Sequence, residues 1–218
     1  MKNKLIITND GSHSIFNNKV NESYHSIHGA IVEAEHVFIK NGMLATKKKK
    51  INILEIGFGT GLNALLTTHK SKQKKIFVNY HAIEPYPIEK NQYSQLNFCD
   101  LIGIDTSILI KLHKSQWEKE QKIHDFFKLT KHKILLEKYI PKKKFDIIYF
   151  DAFSPIKQPE LWEENIFKKV HDLLHSDGFL VTYCAKGSVK RIMQKAGFKI
   201  IVLDGPPGKR QMTRGNKN

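Results

Sequence analysis

A glycine-rich turn constrains the fold of this chain more than any other segment. Residues 57–61 read GFGTG and follow an apolar segment at 51–56. Glycine lets the backbone adopt unusual dihedral angles and approach a ligand closely, and such turns join a strand to a helix in wound α/β sheets. The third glycine comes one residue earlier than in the dinucleotide-binding pattern G-x-G-x-x-G. The turn therefore predicts an α/β sheet with a nucleotide-like ligand, although a packing turn without a ligand stays open.

Apolar segments of strand length alternate with helical segments along the chain, which is typical of a wound sheet. The predicted strands lie at 51–56, 76–83, 126–129, 145–150, 179–184 and 198–203. The predicted helices lie at 62–70, 86–97, 159–175 and 188–196. Most of these strands are apolar throughout, as a parallel sheet covered on both faces requires. We therefore predict a Rossmann-like, mostly parallel sheet with helices on both faces.

Two segments lie outside this predicted core. Residues 1–46 combine strand-like pieces with a helical stretch near 28–40, and residues 98–125 form an insertion after the second strand. We expect an N-terminal extension over 1–46, packed on a core that spans 47–218. Residues from 205 onwards could form a turn with a last edge strand, or a mobile tail.

The composition indicates a polyanionic partner. The formal charge is +15, from 36 Lys and Arg against 21 Asp and Glu, which favours nucleic acid. The lysine runs at 47–50 and 142–144 could equally be solvated loops. No apolar run reaches the roughly 18 residues of a membrane span, and the N-terminus has no secretory apolar stretch. With only Cys99 and Cys184, a disulfide framework is not expected, so we predict a cytoplasmic protein without membrane contact.

Two acidic residues near the turn favour one cofactor over another. Glu84 follows the second predicted strand, where it can accept hydrogen bonds from the ribose hydroxyls of NAD or S-adenosylmethionine. Glu55 lies within the first strand, where a negative charge disfavours a pyrophosphate and suits the cationic methionine end of S-adenosylmethionine. We therefore predict S-adenosylmethionine as the cofactor, bound by Glu55, Gly57, Gly59, Gly61 and Glu84.

A second motif follows the strand at 145–150 and reads DAFSP over residues 151–155. Ligands of wound sheets bind beyond the carboxyl ends of the strands, so Asp151 should face the same crevice as the glycine turn. A carboxylate there can orient an amine and stabilise the cation that forms on methylation. We assign Asp151 chiefly to positioning, with water able to remove the proton, and we expect Phe153 and Pro155 to line the substrate site. A helix-capping Asp151 with Phe153 in the core is the alternative.

Taken together, these motifs resemble a bacterial family of tRNA 5-methylaminomethyl-2-thiouridine methyltransferases, called MnmD when free-standing and forming the N-terminal half of bifunctional MnmC. The resemblance covers nearly the whole chain. It rests on segments within 22–38, 54–63, 151–155, 157–162, 183–187 and 205–210. Each segment alone is unspecific, whereas the combination is specific.

The resemblance implies methyl transfer from S-adenosylmethionine to the primary amine of 5-aminomethyl(-2-thio)uridine at the tRNA wobble position. It places Asn63 and Tyr24 at the cofactor, with Tyr24 closing over the site, and Lys209 and Arg210 at the substrate. No second segment resembles the fused flavin oxidase, so we expect the methyltransferase alone, with a separate oxidase or aminomethyl-forming system acting upstream.

Two departures from the family pattern limit these expectations. Gln211 stands where the family tends to have a glutamate, which puts a role for that acid in doubt. No acid follows the predicted third strand, where residues 130–133 read TKHK, so no partner for the adenine is predicted.

Two other functions stay open. A spermidine-synthase-like aminopropyltransferase should need several acids for its polyamine, whereas the fourth strand offers only Asp151. A non-catalytic tRNA-binding module would not need the glycine turn and Asp151 intact. His25, His28 and His36 lack the spacing of a metal site, so no metal is predicted.

Overall fold

The chain begins with a small antiparallel sheet, which is followed by a short helical segment. In the computed structural model, which describes residues 3–217, the strands of this sheet are β1 (Lys4–Ile7), β2 (His13–Asn17) and β3 (Glu22–Ser23). The helix α1 (Ala30–Ala34) continues into a π-helix over Glu35–Lys40. These elements form the N-terminal segment that covers the main sheet.

Eight strands form the main sheet. They are β4 (Lys50–Ile56), β5 (Phe77–Ile83), β6 (Gln121–His124), β7 (Phe127–His132), β8 (Phe145–Phe150), β9 (Leu174–Thr182), β10 (Lys199–Asp204) and β11 (Gln211–Asn216). Their order across the sheet is β10-β11-β9-β8-β4-β5-β7-β6. The five inner strands from β9 to β7 pair in parallel, whereas β6 and β11 run antiparallel to their neighbours. The predicted mostly parallel α/β sheet is therefore confirmed.

Helices cover both faces of this sheet, as predicted. They are α2 (Leu62–Lys74), α3 (Lys90–Tyr93), α4 (Phe98–Ile102), α5 (Ser107–Lys114), α6 (Glu164–Leu173) and α7 (Gly187–Lys195). Side chains of a strand point alternately to opposite faces. In β8, Ile147 and Tyr149 accordingly join the apolar cluster under α1, α2 and α5, whereas Ile148 and Phe150 join the cluster under α6 and α7. No helix between residues 3 and 217 is both long enough and apolar enough to cross a bilayer.

Several predicted elements have different bounds or partners. The predicted helix at 86–97 is reduced to the four residues of α3, because Pro85 and Pro87 favour an extended backbone. The predicted helix at 159–175 is interrupted by the extended Glu163 and ends at Leu173. The segment at 98–125 contributes the edge strand β6, and β11 lies between β9 and β10 rather than at the edge. The positions of β6 and β11 in the sheet depend on pairing between segments that are distant in sequence. Hydrophobic periodicity within one segment cannot predict such pairing.

Candidate active site

A cleft of about 710 Å³ lies at the carboxyl ends of β4, β5 and β8, beneath the N-terminal segment. The floor of the cleft includes four residues that the sequence analysis predicted for the site, which are Gly57, Gly59, Glu84 and Asp151. The cover is formed by residues 17–28, and Glu33 and Lys209 lie in the wall. The carboxyl ends of parallel strands are the usual ligand site in such sheets, so one cleft unites the two predicted motifs.

The glycine turn cannot accept side chains at two of its positions. The φ angles of Gly57 and Gly59 are 91° and 46°, in the region that favours glycine. A Cβ atom on Gly57 would lie 2.6 Å from the backbone oxygen of Asp151, and one on Gly59 would lie 2.8 Å from the ring of Tyr24. Gly61 caps α2 with a φ of 76° and does not line the cleft. Its position indicates a role in starting the helix.

Glu84 presents a fixed carboxylate to the cleft. One oxygen accepts a hydrogen bond from the Gly59 amide at 3.0 Å, and the other accepts one from the Tyr86 amide at 2.9 Å. The side chain is buried, which raises its pKa, while the two amide donors lower it. Each carboxylate oxygen has two lone pairs, so both oxygens can still accept hydrogen bonds from a vicinal diol. The predicted role at the ribose therefore fits this geometry.

Glu55 lies beneath the cleft instead of lining it. The side chain is fully buried, near Asn63 and Tyr80, and neither carboxyl oxygen has a hydrogen-bond partner among residues 3–217. Burial, and then the nearby Asp151, hold the pKa of Glu55 well above its usual range, so the neutral acid is favoured. The structure thus places Glu55 beneath the cleft, and its part in selecting a sulfonium cofactor stays a prediction.

Asp151 extends from the end of β8 into the cleft. The amide of Asn63 donates a 2.7 Å hydrogen bond to Asp151 Oδ2, so Asn63 contacts Asp151 and does not line the cleft. Burial raises the pKa of Asp151 to about 7; the Asn63 hydrogen bond opposes this rise, Glu33 adds to it and Lys209 opposes it. A carboxyl with this pKa can both accept and release a proton near neutral pH.

Two aromatic rings meet where the cover approaches the floor. The rings of Tyr24 and Phe153 make an edge-to-face contact with centroids 5.1 Å apart, and both line the cleft. The indole nitrogen of Trp162 donates a 2.8 Å hydrogen bond to the Phe153 carbonyl and fixes the turn that carries the ring. Burial and the nearby Glu84 raise the pKa of Tyr24 to about 12, which keeps its hydroxyl neutral. Pro155 does not line the cleft.

The two predicted basic contacts occupy different environments. The Lys209 ammonium lines the cleft, pairs with the Glu33 carboxylate and lies 4.1 Å from the centroid of the Tyr183 ring. Arg210 is exposed and lies outside the lining of the cleft. Lys209 is therefore committed to an internal partner, whereas Arg210 is exposed to solvent.

Sequence reasoning did not identify the residues after β7 that line the cleft, which are Leu135, Leu136 and Glu137. The strand β7 runs to His132, three residues past the end that the sequence predicted. Lys131 lies in this added part, and its side chain is buried inside the protein. Its ammonium donates to the His113 carbonyl at 2.6 Å and lies 4.4 Å from the Trp117 ring centroid. A lysine is unusual inside a buried strand, so the sequence did not predict the last part of β7. The residues that line the cleft follow this part of the strand.

The cleft has an excess of acidic groups, although the chain as a whole is strongly basic. Six carboxylates line it, against three lysines. The carboxylates are Glu22, Glu33, Glu84, Glu137, Asp151 and Glu160, and the lysines are Lys19, Lys157 and Lys209. Such a site favours cationic groups such as a sulfonium or an ammonium. It also shows that the sequence argument, which counted Asp151 alone against a polyamine substrate, was incomplete.

The three histidines considered as metal ligands are directed to separate partners. His25 Nε2 lies 2.6 Å from the Thr60 hydroxyl, and burial lowers its pKa to about 4. The ring of His28 packs on Gly208, and His36 Nε2 lies 2.7 Å from the Asp204 carbonyl. Within the described residues, no group of three or more His, Cys, Asp or Glu side chains is arranged to hold a metal ion.

Comparison with known proteins gives consistent matches. Residues 108–218 match the model of a family described as S-adenosyl-L-methionine-dependent methyltransferases. The tRNA 5-methylaminomethyl-2-thiouridine biosynthesis bifunctional protein MnmC of Marinomonas sp. (strain MWYL1) is 29% identical over 92% of this chain, which covers 32% of that protein. The protein of the same name from Campylobacter hominis is 27% identical over 94% of this chain, which covers 31% of it. The chain thus spans about a third of the length of these relatives.

A solved structure shares the fold over the full length of the chain. The crystal structure of MNMC2 from Aquifex aeolicus matches with a TM-score of 0.79 and 23% sequence identity, covering 100% of this chain and 70% of that one. At this identity, the match supports the architecture of the eight-stranded sheet and its N-terminal cover.

Proposed function

Because the chain belongs to this family of S-adenosyl-L-methionine-dependent methyltransferases, we propose that it methylates the primary amine of 5-aminomethyluridine, or of its 2-thio form, at the wobble position of tRNA. The product is 5-methylaminomethyl(-2-thio)uridine. Family membership confirms the predicted cofactor and enzyme class, and it does not favour the aminopropyltransferase or the non-catalytic module. The relatives named for 5-methylaminomethyl-2-thiouridine biosynthesis support the choice of base.

The observation that carries the proposal is the Asp151 carboxyl, whose pKa is raised to about 7 by burial at the end of β8. It shares one cleft with the glycine turn and with Glu84. A proton acceptor beside a cofactor site, in surroundings that favour cations, suits methylation of an amine.

The residues of the cleft fit the cofactor. Gly57 and Gly59 have no side chain where a Cβ atom would clash, and Glu84 holds a carboxylate ready for the ribose hydroxyls. Leu135 and Leu136 supply an apolar wall on the β7 side, where we place the adenine. When bound, the cofactor supplies an electrophilic methyl group.

Asp151 prepares the acceptor for this methyl group. A primary alkylammonium resembles lysine, with a solution pKa of about 10, and it must lose a proton before its nitrogen can attack. Asn63 holds Oδ2 of Asp151, which leaves Oδ1 to accept that proton. The neutral nitrogen would then attack the methyl carbon as the methyl–sulfur bond of the cofactor breaks, with the neutral thioether S-adenosylhomocysteine as the leaving group. The nitrogen would become a secondary ammonium, and Asp151 would release its proton to water. We therefore extend the role of Asp151 from positioning to proton transfer.

The aromatic pair and the basic rim would receive the nucleotide. Tyr24 and Phe153 line the cleft, so the base can pack on a ring there, as unstacked bases do in RNA complexes. Lys157 lines the cleft, and Arg210 is exposed next to the cleft residue Lys209, so each can contact a phosphate of the bound RNA. The charge of +15 supports tRNA as the partner of this rim.

The cellular setting follows from the same proposal. Cys99 and Cys184 are both free and buried, as expected in a reducing cytoplasm, where tRNA is modified. An oxidase or another aminomethyl-forming activity has to act earlier, because the acceptor amine has to exist before it is methylated.

The decisive experiment is incubation of the protein with labelled S-adenosylmethionine and tRNA that carries or lacks the 5-aminomethyl group, followed by nucleoside analysis. Label should appear only in 5-methylaminomethyl(-2-thio)uridine. Label on unmodified uridine, or on protein, would overturn the substrate assignment. Calorimetry with the cofactor alone provides the second readout, and absence of binding at millimolar concentration would contradict the enzyme itself.

A further inference from the structure

An ion pair in the wall of the cleft joins the N-terminal segment to the C-terminal turn. Glu33 lies on α1, and Lys209 lies in the turn between β10 and β11, where its ammonium contacts the Glu33 carboxylate. The two side chains are only 12% and 29% exposed, and both line the cleft together with Asp151. Because solvent screens this pair less than a surface pair, its charges act on other groups in the cleft.

Further contacts fix the pair relative to Asp151. The Lys209 ammonium lies over the Tyr183 ring, and the Tyr183 hydroxyl donates a 2.9 Å hydrogen bond to the carbonyl of Ala152, the residue after Asp151. The second oxygen of Glu33 accepts a 3.2 Å hydrogen bond from the Ser26 amide. These contacts hold the Lys209 ammonium and the Glu33 carboxylate in the wall of the cleft that contains Asp151.

We propose that Glu33 and Lys209 are a positioning pair that balances the protonated and the ionised forms of Asp151. Glu33 favours the protonated carboxyl, and Lys209 favours the ionised carboxylate. The balance lets Asp151 take the proton of the acceptor ammonium and return it to water near neutral pH. This inference rests on the proposed function, and it adds no covalent step.

The other groups around Asp151 do not supply this balance. They are Glu55 on β4, Asn63 on α2, Tyr80 on β5 and Tyr183 after β9, with Glu84 also lining the cleft. Burial raises the pKa values of Glu55, Tyr80 and Tyr183 well above their usual ranges, so their neutral forms are favoured. Asn63 carries no charge, and Glu84 is held by two backbone amides on the glycine-turn side. Lys209 is the only nearby cation among those that act on Asp151 in the described chain.

The test compares the pH dependence of kcat/KM in Glu33→Gln, Lys209→Met and the double variant. Glu33→Gln removes a negative charge, so the acidic limb should move to lower pH by about one unit, the lower end of what a neighbouring charge does to a carboxyl pKa. Lys209→Met removes a positive charge and should move the limb to higher pH by a similar amount. The double variant should return close to the wild type. The exposed pair Glu164 and Lys168 on α6, changed to Gln and Met, is the matched control.

The two single variants must shift the limb in opposite directions. Shifts in the same direction, or a uniform loss of activity with no shift, would overturn the proposal, because a purely structural pair would behave in that way. Glu33→Asp and Lys209→Arg keep the charges and should keep the wild-type limb.

A second readout does not need turnover. The carboxyl ¹³C signal of Asp151, assigned by its absence from Asp151→Asn, should titrate with the same opposite shifts in the two single variants. If the wild type methylates no aminomethyl tRNA, the proposed function fails, and this titration still decides the role of the pair.

Discussion

Replacing Asp151 by Asn should separate methyl transfer from cofactor binding. The variant keeps the shape of the side chain, and its carbonyl oxygen can still accept the hydrogen bond that Asn63 donates at 2.7 Å to Oδ2 of the wild type. An amide cannot take a proton from the acceptor, so the change removes the base and leaves the architecture intact.

The magnitude follows from which contacts the substitution touches. Loss of a positioned general base lowers turnover by about 10²- to 10⁴-fold, which corresponds to roughly 3 to 5 kcal/mol in the barrier. Gly57 approaches the backbone oxygen of Asp151 and not its side chain, so the glycine turn keeps its form. The affinity for S-adenosylmethionine should therefore change by less than about threefold, or roughly 0.7 kcal/mol.

Single-turnover methylation with saturating tRNA measures the first quantity, and calorimetry measures the second. Glu164→Gln, on the exposed part of α6, serves as the control and should alter neither. A cofactor Kd that rises as much as the rate falls would refute the reasoning, because Asp151 would then belong to the cofactor site. An unchanged rate would refute it as well.

Three further predictions concern stability and cofactor binding. The pKa of Asp151 is raised to about 7 in the fold from an ordinary value of 3.8, so the wild type should lose stability as pH rises between these values. Asp151→Asn should lack this contribution, so the difference in Tm between the two proteins should grow from pH 4 to pH 7 in thermal unfolding; a constant difference would contradict the raised pKa. Glu84→Gln should weaken cofactor binding about tenfold or more in calorimetry, since it loses the ionised acceptor for ribose, whereas Glu164→Gln on the exposed part of α6 should have little effect. Gly59→Ala should lower stability by about 1 to 3 kcal/mol, because the backbone is left-handed and the new methyl meets the Tyr24 ring at 2.8 Å; denaturant unfolding should show part of this loss recovered in Gly59→Ala with Tyr24→Ala, and full additivity would argue against the clash.

The centre of the fold could be predicted because its sequence signals are local. The strand predicted at 51–56 begins one residue earlier as β4, and the strand predicted at 145–150 matches β8. Both are largely apolar, as burial on both faces requires. The ends of β5 and β8 then determined where Glu84 and Asp151 face the cleft.

Other features depend on contacts that a single segment does not reveal. The buried Lys131 made β7 look shorter, because its ammonium is stabilised by His113 and Trp117, which come from the segment at 98–125. Glu33 was noticed only as part of a resemblance, since its partner Lys209 is 176 residues away in sequence. Glu55 was interpreted by its formal charge, whereas burial favours the neutral acid. Each of these features concerns a titratable group whose surroundings are set by tertiary structure.

The ring of Tyr24 stands at the boundary between the two ligand sites that we propose. On one side it packs on Gly59 of the cofactor turn, and on the other it contacts Phe153 of the acceptor wall. We expect a displacement of this ring by one ligand to change the space left for the other, so that the two binding free energies are not additive. By thermodynamic reciprocity, the cofactor changes the affinity for the nucleotide by the same factor as the nucleotide changes the affinity for the cofactor. We therefore expect a single side chain of the cover to make the enzyme sensitive to whether both substrates are present.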